Sequence, residues 1–306
     1  MTFEAVDILR IELRLPDGGD LPAFTSGSHI NLKLNDKLTR SYSLINDASE
    51  RHRYLIAVHK DEHGRGGSRY LHETARVGQK LQCSEPVNAF PLNEDANMSV
   101  LIAGGIGITP IWSMIQRLEV LGKKWELHYR ARSREKAALL TELEALGRTR
   151  NINISYSNET MRDMCDVRAI IANAPDDADL YCCGPLEMLE VFDEVCAPLD
   201  VSRVHTERFQ ADGEIAVQGG FILKAVKSNM ELEVKEGQTI LQVLRDAGLD
   251  PAYSCESGLC GECQTRVISG EPDHQDLYLT EEEKESGESI MICCSGSLTP
   301  ILEIDQ

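Results

Sequence analysis

The sequence predicts a multidomain fold in which an antiparallel β-barrel precedes an α/β doubly wound domain, and an α+β domain closes the chain. Three observations predict it. Short β-like runs divided by turn signals fill the first third, and strands alternate with helices from Ser99 onward. The last segment holds Cys255, Cys260 and Cys263 in a C-x4-C-x2-C loop, with Cys293 beyond it. These shifts set expected boundaries of 1–96, 97–210 and 221–306, with 211–220 as a linker.

In the first domain, Ala5 to Leu15, His29 to Leu34 and Tyr54 to Val58 read as strands separated by Pro16-Asp-Gly-Gly19 and Asn46-Asp47. Several short strands so spaced suggest a small antiparallel barrel. Arg40-Ser-Tyr-Ser43 places Arg40 and Tyr42 on one strand face by the two-residue alternation of side chains. Gly64-Arg-Gly-Gly-Ser68 then opens an expected helix from Arg69 to Ala75. Such a turn is often only a turn, but free N–H groups and the positive end of a helix dipole also suit a phosphate. Together these features suggest a flavin phosphate site.

In the second domain Val100 to Ala103 is an apolar strand, and Gly104-Gly-Ile-Gly-Ile-Thr-Pro110 turns into a helix with Ile111, Met114, Ile115 and Leu118 on one face. Pro110 suits its first turn and Gly122 its end. Trp125 to Tyr129, Ile152 to Tyr156 and Asp179 to Cys183 read as further strands, with helices expected over Glu135 to Leu146 and from Gly184-Pro185 to about Ala197. This alternation implies a mostly parallel sheet with its ligand at the strand C-termini. Gly104, Gly105 and Gly107 lie at such a terminus and would admit a pyrophosphate, although the run is not G-x-G-x-x-G.

The last domain begins with strand-like Phe221 to Val226 and Met230 to Val234. A helix from about Thr239 to Ala247, the cysteine loop, more strand and an acidic helix around Thr280 to Glu285 follow. The spacing of Cys255, Cys260, Cys263 and Cys293 matches the plant-type ligand pattern for a [2Fe-2S] cluster. Gly258 and Gly261 would let backbone N–H groups approach the sulfurs. Four-cysteine zinc is the rival, but structural zinc usually pairs two short C-x2-4-C knuckles. Cys293 fits the fourth ligand by spacing, and Cys294 reads as a bystander.

The chain's 42% hydrophobic content in 306 residues is enough for real cores. No apolar run is long enough for a membrane helix, and no basic-then-apolar leader opens the chain. The ten cysteines therefore read as metal ligands and buried thiols in a reducing cytoplasm. A net charge of −19 argues against nucleic acid. Residues 222–306 contain 17 Asp and Glu against 6 Lys and Arg, a charge that would steer toward a basic protein surface or simply keep the domain soluble.

In this order, Arg40-x-Tyr42-Ser43, Gly64-Arg-Gly-Gly-Ser68, Gly104 to Pro110, Cys182-Cys-Gly-Pro185 and the cysteine loop resemble the phthalate dioxygenase reductase family over nearly the whole chain. Within that family the likeness is to reductase components of vanillate O-demethylases and similar Rieske oxygenases. The resemblance implies a ferredoxin-NADP reductase superfamily fold with a plant-type [2Fe-2S] ferredoxin fused at the C-terminus. It also implies a cofactor set of FMN, a [2Fe-2S] cluster and NADH, with NADPH as the alternative. Hydride would pass from NAD(P)H to FMN, and single electrons would pass through the cluster to a terminal Rieske-type oxygenase.

By the same resemblance, Arg40 and Gly66-Gly67-Ser68 would hold the FMN phosphate, with Arg65 nearby. Tyr42 would pack on the flavin and Ser43 would lie near its N5, with Ala57, Val58 and Lys60 as further flavin contacts. Thr109 would face the nicotinamide or flavin side, and Cys183 would approach the nicotinamide where hydride leaves. Gly184 and Pro185 would be further cofactor contacts, and Glu207 and Phe209 would form an acidic and aromatic pair near the flavin. Cys183 is equally readable as a buried small hydrophobe. Arg132 and Ser133, with Arg134, could grip a 2′-phosphate, although the family habit is NADH. His29, His59, His63 and His205 read as surface or packing residues, since hydride transfer needs no general base. Two other functions fit the parts: an electron-transfer subunit of a permanent complex, and a stand-alone flavin oxidoreductase.

Overall fold

The computed structural model describes residues 1–35, 38–62, 64, 66–147, 151–157, 166–209, 216, 218–253 and 255–306. They form two compact units, Met1–Arg208 and Phe209–Gln306.

In the first unit, strands β1 (Thr2–Ala5), β2 (Ile8–Leu13), β3 (His29–Asn35), β4 (Leu38–Ser43), β5 (Tyr54–His59) and β6 (Gln82–Cys83) make two antiparallel sheets, β1-β2-β5 and β4-β3-β6. Alternation in β3 turns Ile30, Leu32 and Leu34 inward onto Ile11, Tyr54, Ile56, Val58 and Leu71, so the two sheets close around one barrel-like core. The single strand expected over Ala5 to Leu15 is instead a hairpin. Asp7 takes φ 64, a left-handed turn that Asp tolerates, and Lys136 Nζ holds its carboxylate at 2.8 Å. After β5 comes α1 (Gly67–Arg69), continued as a π-helical turn over Tyr70–Thr74 where a plain helix is expected.

The parallel sheet follows as β7 (Met98–Gly104), α2 (Ile108–Leu121), β8 (Lys124–Ala131), α3 (Leu140–Ala145), β9 (Ile152–Tyr156), α4 (Val167–Asn173), β10 (Asp179–Cys183), α5 (Leu186–Cys196) and β11 (Val204–Glu207). Its order is β11-β10-β7-β8-β9. The chain thus runs outward from β7 to β9, returns to the other side of β7 at β10, and creates a switch point between β7 and β10. In such sheets ligands bind beyond the strand carboxyl ends at that point. Leu101, Ala103, Tyr181 and Cys183 pack with α2 on one face. Val100, Ile102, Leu180 and Cys182 pack with α5 on the other.

The helix expected over Glu135 to Leu146 is broken. A 3-10 turn covers Arg134–Lys136, Leu139 takes φ 59, and α3 begins only at Leu140. Hydrogen bonds pull this segment away from helical pairing: Ala138 N donates to Tyr129 Oη at 3.0 Å, Leu139 N to Glu4 Oε1 at 2.7 Å, and Val6 N to Glu135 O at 2.8 Å. Helix α4 was not expected, yet it carries a cap signal, because Asp166 Oδ1 accepts from the backbone N–H of Arg168 and Ala169.

The second unit contains β12 (Phe221–Ala225), β13 (Met230–Val234), α6 (Ile240–Asp246), β14 (Gln264–Ser269), β15 (Pro272–Asp273), α7 (Glu281–Ser286), β16 (Ser289–Met291), β17 (Gly296–Ser297) and β18 (Ile301–Ile304). A mixed sheet of order β13-β12-β18-β14-β16 buries Leu223, Leu302 and Ile304 against Ile240, Leu241 and Leu244 of α6. Helix α7 starts with a complete capping box between Thr280 and Glu283. The linker expected at 211–220 falls largely outside the described residues.

Candidate functional site

The switch point brings three separately read residues together. Cys183 and Glu207 end the neighbouring parallel strands β10 and β11 and are paired in register, while Ser43 ends β4. Ser43 Oγ donates toward Glu207 Oε2 at 3.5 Å. Burial pushes the Glu207 carboxyl up to about 8, and the Ser43 hydroxyl offsets this slightly. Burial, with Glu207 second, also drives the Cys183 thiol well above its usual range. Cys183 is therefore a neutral, polarisable group rather than a thiolate nucleophile.

The glycines have distinct reasons. A Cβ on Gly107 would come within 2.2 Å of the Cys183 carbonyl oxygen, and one on Gly104 within 2.4 Å of Pro185 Cδ, so these two let the β7 and β10 ends close on each other. Gly184 is similarly tight against Met188. Gly105 differs: its φ is 55 and its Cβ direction is open. Thr109 is buried, with its hydroxyl donating to Ile106 O at 2.8 Å inside the first turn of α2.

On the barrel side, Gly67 lies against the Arg40 side chain, where a Cβ would come within 2.5 Å of Cγ. Gly66 takes φ 86 beside open space. A cation and a glycine turn thus share a place that suits an anionic group. Tyr42 stands one alternation from Arg40, and burial drives its phenol far up, with the guanidinium easing this. Ser68 Oγ accepts the Asp61 N–H at 3.0 Å and closes the loop that leads into α1. Arg65 lies outside the described residues, as does His63.

Ala57 and Val58 are buried in β5, and Val58 O contacts His72 Nε2 at 2.8 Å. Lys60 is placed between Glu62 and Glu73, 3.0 and 2.9 Å away, so its ammonium is committed to carboxylates. Arg134 pairs with Glu144 at 2.6 Å, whereas Arg132 is exposed after β8 and Ser133 is half-buried. His205 stacks on Tyr181 with centroids 4.4 Å apart and contacts Asp179 Oδ2 at 3.1 Å, a packing role. Phe209 is 41% exposed and belongs to the second unit.

In the second unit, Ser257 N and Leu259 N donate to Cys255 Sγ at 3.4 and 3.3 Å. N–H groups aimed at a sulfur stabilise the negative charge that a metal-ligating thiolate carries. The adjoining Cys255 sulfur, followed by burial, raises the Cys260 thiol far above its usual range. Cys263 is buried with its sulfur 4.0 Å from Met291 Sδ, and Cys293 and Cys294 are both buried beside it in the same core. Cys294 Sγ has its own partner, donating to Met291 O at 3.7 Å.

Gly258 and Gly261 take φ 72 and 75. A Cβ on Gly258 would come within 2.7 Å of Cys294 Sγ, and one on Gly261 within 2.2 Å of the Tyr278 ring. Among the described residues no three His, Cys, Asp or Glu side chains gather around a single ion position. A binuclear cluster spreads its four thiolates over two irons, and the adjoining Cys255 and Cys260 sulfurs suit one of them. Asp276 is a residue the sequence reading missed. It is buried, and its Oδ2 accepts from the backbone N–H of Tyr278 and Leu279. Its D-x-x turn pattern was the available signal.

Comparisons with known proteins identify a domain in each unit. Residues 101–194 match an oxidoreductase NAD-binding domain, and residues 224–296 match a 2Fe-2S iron-sulfur cluster binding domain. The chain is 48% identical to a phenoxybenzoate dioxygenase subunit beta of Ectopseudomonas oleovorans, over 100% of this chain and 95% of that one. It is 45% identical to a tetrachlorobenzoquinone reductase of Sphingobium chlorophenolicum, with the same coverage. The crystallised phthalate dioxygenase reductase, described as a modular structure for electron transfer from pyridine nucleotides to [2Fe-2S], superposes with a TM-score of 0.81 at 34% identity, over 99% of this chain and 95% of that one.

The chain belongs to the phthalate dioxygenase reductase family. It is an oxidoreductase that carries an NAD-binding domain and a 2Fe-2S cluster binding domain. Among the described residues no helix is long and apolar enough to cross a membrane.

Proposed function

We propose that this family member takes hydride from NADH at the Ser43, Cys183 and Glu207 face and delivers single electrons to a terminal Rieske-type oxygenase. The observation that carries the reading is the meeting of Ser43 and Glu207 across 3.5 Å at the switch point, beside Cys183. When bound, FMN supplies acceptance of an electron pair and release of single electrons, and the cluster supplies one-electron storage.

The chain's own residues do the rest. Arg40 and the Gly66-Gly67-Ser68 turn bind the flavin phosphate, and Tyr42 supports the ring. Ser43 holds a hydroxyl, and Glu207 a neutral carboxyl, at the edge where hydride arrives. Gly105 leaves backbone open to the dinucleotide pyrophosphate, while Gly104, Gly107, Thr109 and Gly184-Pro185 set the shape of the nicotinamide side. Arg132 and Ser133 face the adenosine ribose, and the tie of Arg134 to Glu144 favours NADH over a 2′-phosphate. Cys255, Cys260, Cys263 and Cys293 hold the irons, and Cys294 packs behind them.

The organisation is a flavin barrel over 1–96, a nucleotide domain over 97–210, a linker over 211–220 and a ferredoxin domain over 221–306. None of the nine described cysteines is in a disulfide, which supports a reducing, cytoplasmic setting.

A second reading has a specific support: the 45% identical relative named for tetrachlorobenzoquinone makes a small quinone a possible final acceptor. Turnover separates the two. With NADH, the chain is expected to reduce the Rieske centre of a purified oxygenase component rapidly and to leave tetrachlorobenzoquinone as the poorer acceptor by kcat/KM. The opposite ranking assigns it to quinone reduction.

A further inference from the structure

Two large apolar side chains stand in water beside the cysteine loop. Leu277 and Tyr278 are 46% and 48% exposed, while their neighbours Asp276 and Leu279 are buried. The outward display is built. Asp276 Oδ2 accepts the Tyr278 and Leu279 N–H groups at 3.3 and 2.9 Å, Leu279 sinks into the core, and Leu277 N donates to Gly258 O at 3.1 Å. The Tyr278 ring lies over Gly261, close enough that a Cβ there would meet it at 2.2 Å. The pair is thus fastened to both glycines of the loop that carries three of the four ligands. Acids surround it in sequence: Glu262 in the loop and Glu281, Glu282 and Glu285 in α7 are exposed.

We propose that Leu277 and Tyr278 form the apolar centre of the surface on which the electron-accepting protein docks. The partner it fits has an apolar redox edge ringed by Lys and Arg, which the terminal oxygenase would present. A rigid aromatic beside an aliphatic group gives contact area at low entropic cost, and flanking charges set encounter rate and orientation. Residues 222–306 carry 17 acids against 6 Lys and Arg, so a second copy of this chain would be repelled whereas a basic surface is attracted. Docking here brings the partner to the loop that holds the cluster and shortens the path for an electron.

This inference rests on the relay proposed above, and the test keeps the two apart. Cytochrome c, a basic protein with an apolar haem edge, serves as the probe and ferricyanide as the small-molecule control, using the holoprotein and NADH. Tyr278→Ala and Leu277→Ser are each expected to raise the KM for cytochrome c at least about fivefold, the size of a modest interface contribution. Ferricyanide reduction and the EPR spectrum of the reduced cluster should match the wild type. Tyr278→Phe should restore the KM, because contact area rather than the phenol is used, and added salt should raise the wild-type KM. Unchanged KM values in both variants overturn the docking surface, and so does loss of the cluster signal in both, which would make the pair a support for the loop. A wild-type chain that bleaches its flavin with NADH but cannot reduce cytochrome c counts against the relay itself.

Discussion

Burial raises the Glu207 carboxyl to about 8, and the Ser43 hydroxyl lies 3.5 Å from it. At neutral pH the group is therefore a neutral acid beside Ser43 and Cys183, where hydride transfer is proposed. The unfolded chain holds this carboxyl near 4.5, so the native state binds the extra proton between about 4.5 and 8. Its contribution to stability is full below that window and is lost as pH rises through it. On the proposed reading the same proton would govern chemistry, because an ionised Glu207 would oppose the arrival of hydride, a transfer of negative charge. Stopped-flow flavin reduction by NADH should slow in the wild type above about pH 8 and stay flat in Glu207→Gln from about pH 6 to 9.5. A Gln variant that keeps the wild-type alkaline decline would assign the titration elsewhere. Cys183, a neutral thiol in the same place, adds polarisable packing and no second ionisation in that range.

At the scale of elements, the turn from β7 into α2 matters most. Gly107 approaches the Cys183 carbonyl so closely that a methyl group would sit 2.2 Å from backbone oxygen, which cannot swing aside as a side chain can. Gly107→Ala should cost about 1–3 kcal/mol by overpacking and lower the Tm by several degrees. It should also slow NADH-driven flavin reduction, because β10 must move with Cys183. Calorimetry and stopped-flow on the same sample check both, and an unchanged Tm would contradict the close packing of the two strand ends. The regular elements here were legible in the sequence, since β9 and β10 occupy the runs read from Ile152 to Tyr156 and from Asp179 to Cys183. Two of the failures share one cause. The turn at Asp7 and the break at Leu139 use left-handed residues other than glycine, stabilised by Lys136 and Glu4 from distant parts of the chain, and local pattern cannot display such partners.

At the scale of the whole molecule, motif order fixed what each part is for, and tertiary structure decided which residues meet. Ser43 and Glu207 are 164 positions apart, so spacing alone could not join them, and only the family resemblance put both near the flavin. The resemblance gave Lys60 as a flavin contact, but its commitment to Glu62 and Glu73 appears only in the fold. The cluster domain could be read from spacing because a loop of nine residues holds three of the four proposed ligands. The central claim is that electrons enter as a pair in the first unit and leave singly from the second. Replacing one iron ligand while leaving the flavin site whole tests this most directly. Stopped-flow of Cys260→Ser with NADH should show flavin reduction at the wild-type rate and retained ferricyanide reduction, with loss of the reduced-cluster EPR signal and of electron delivery to a Rieske oxygenase. Undiminished delivery to the oxygenase by that variant would contradict the account.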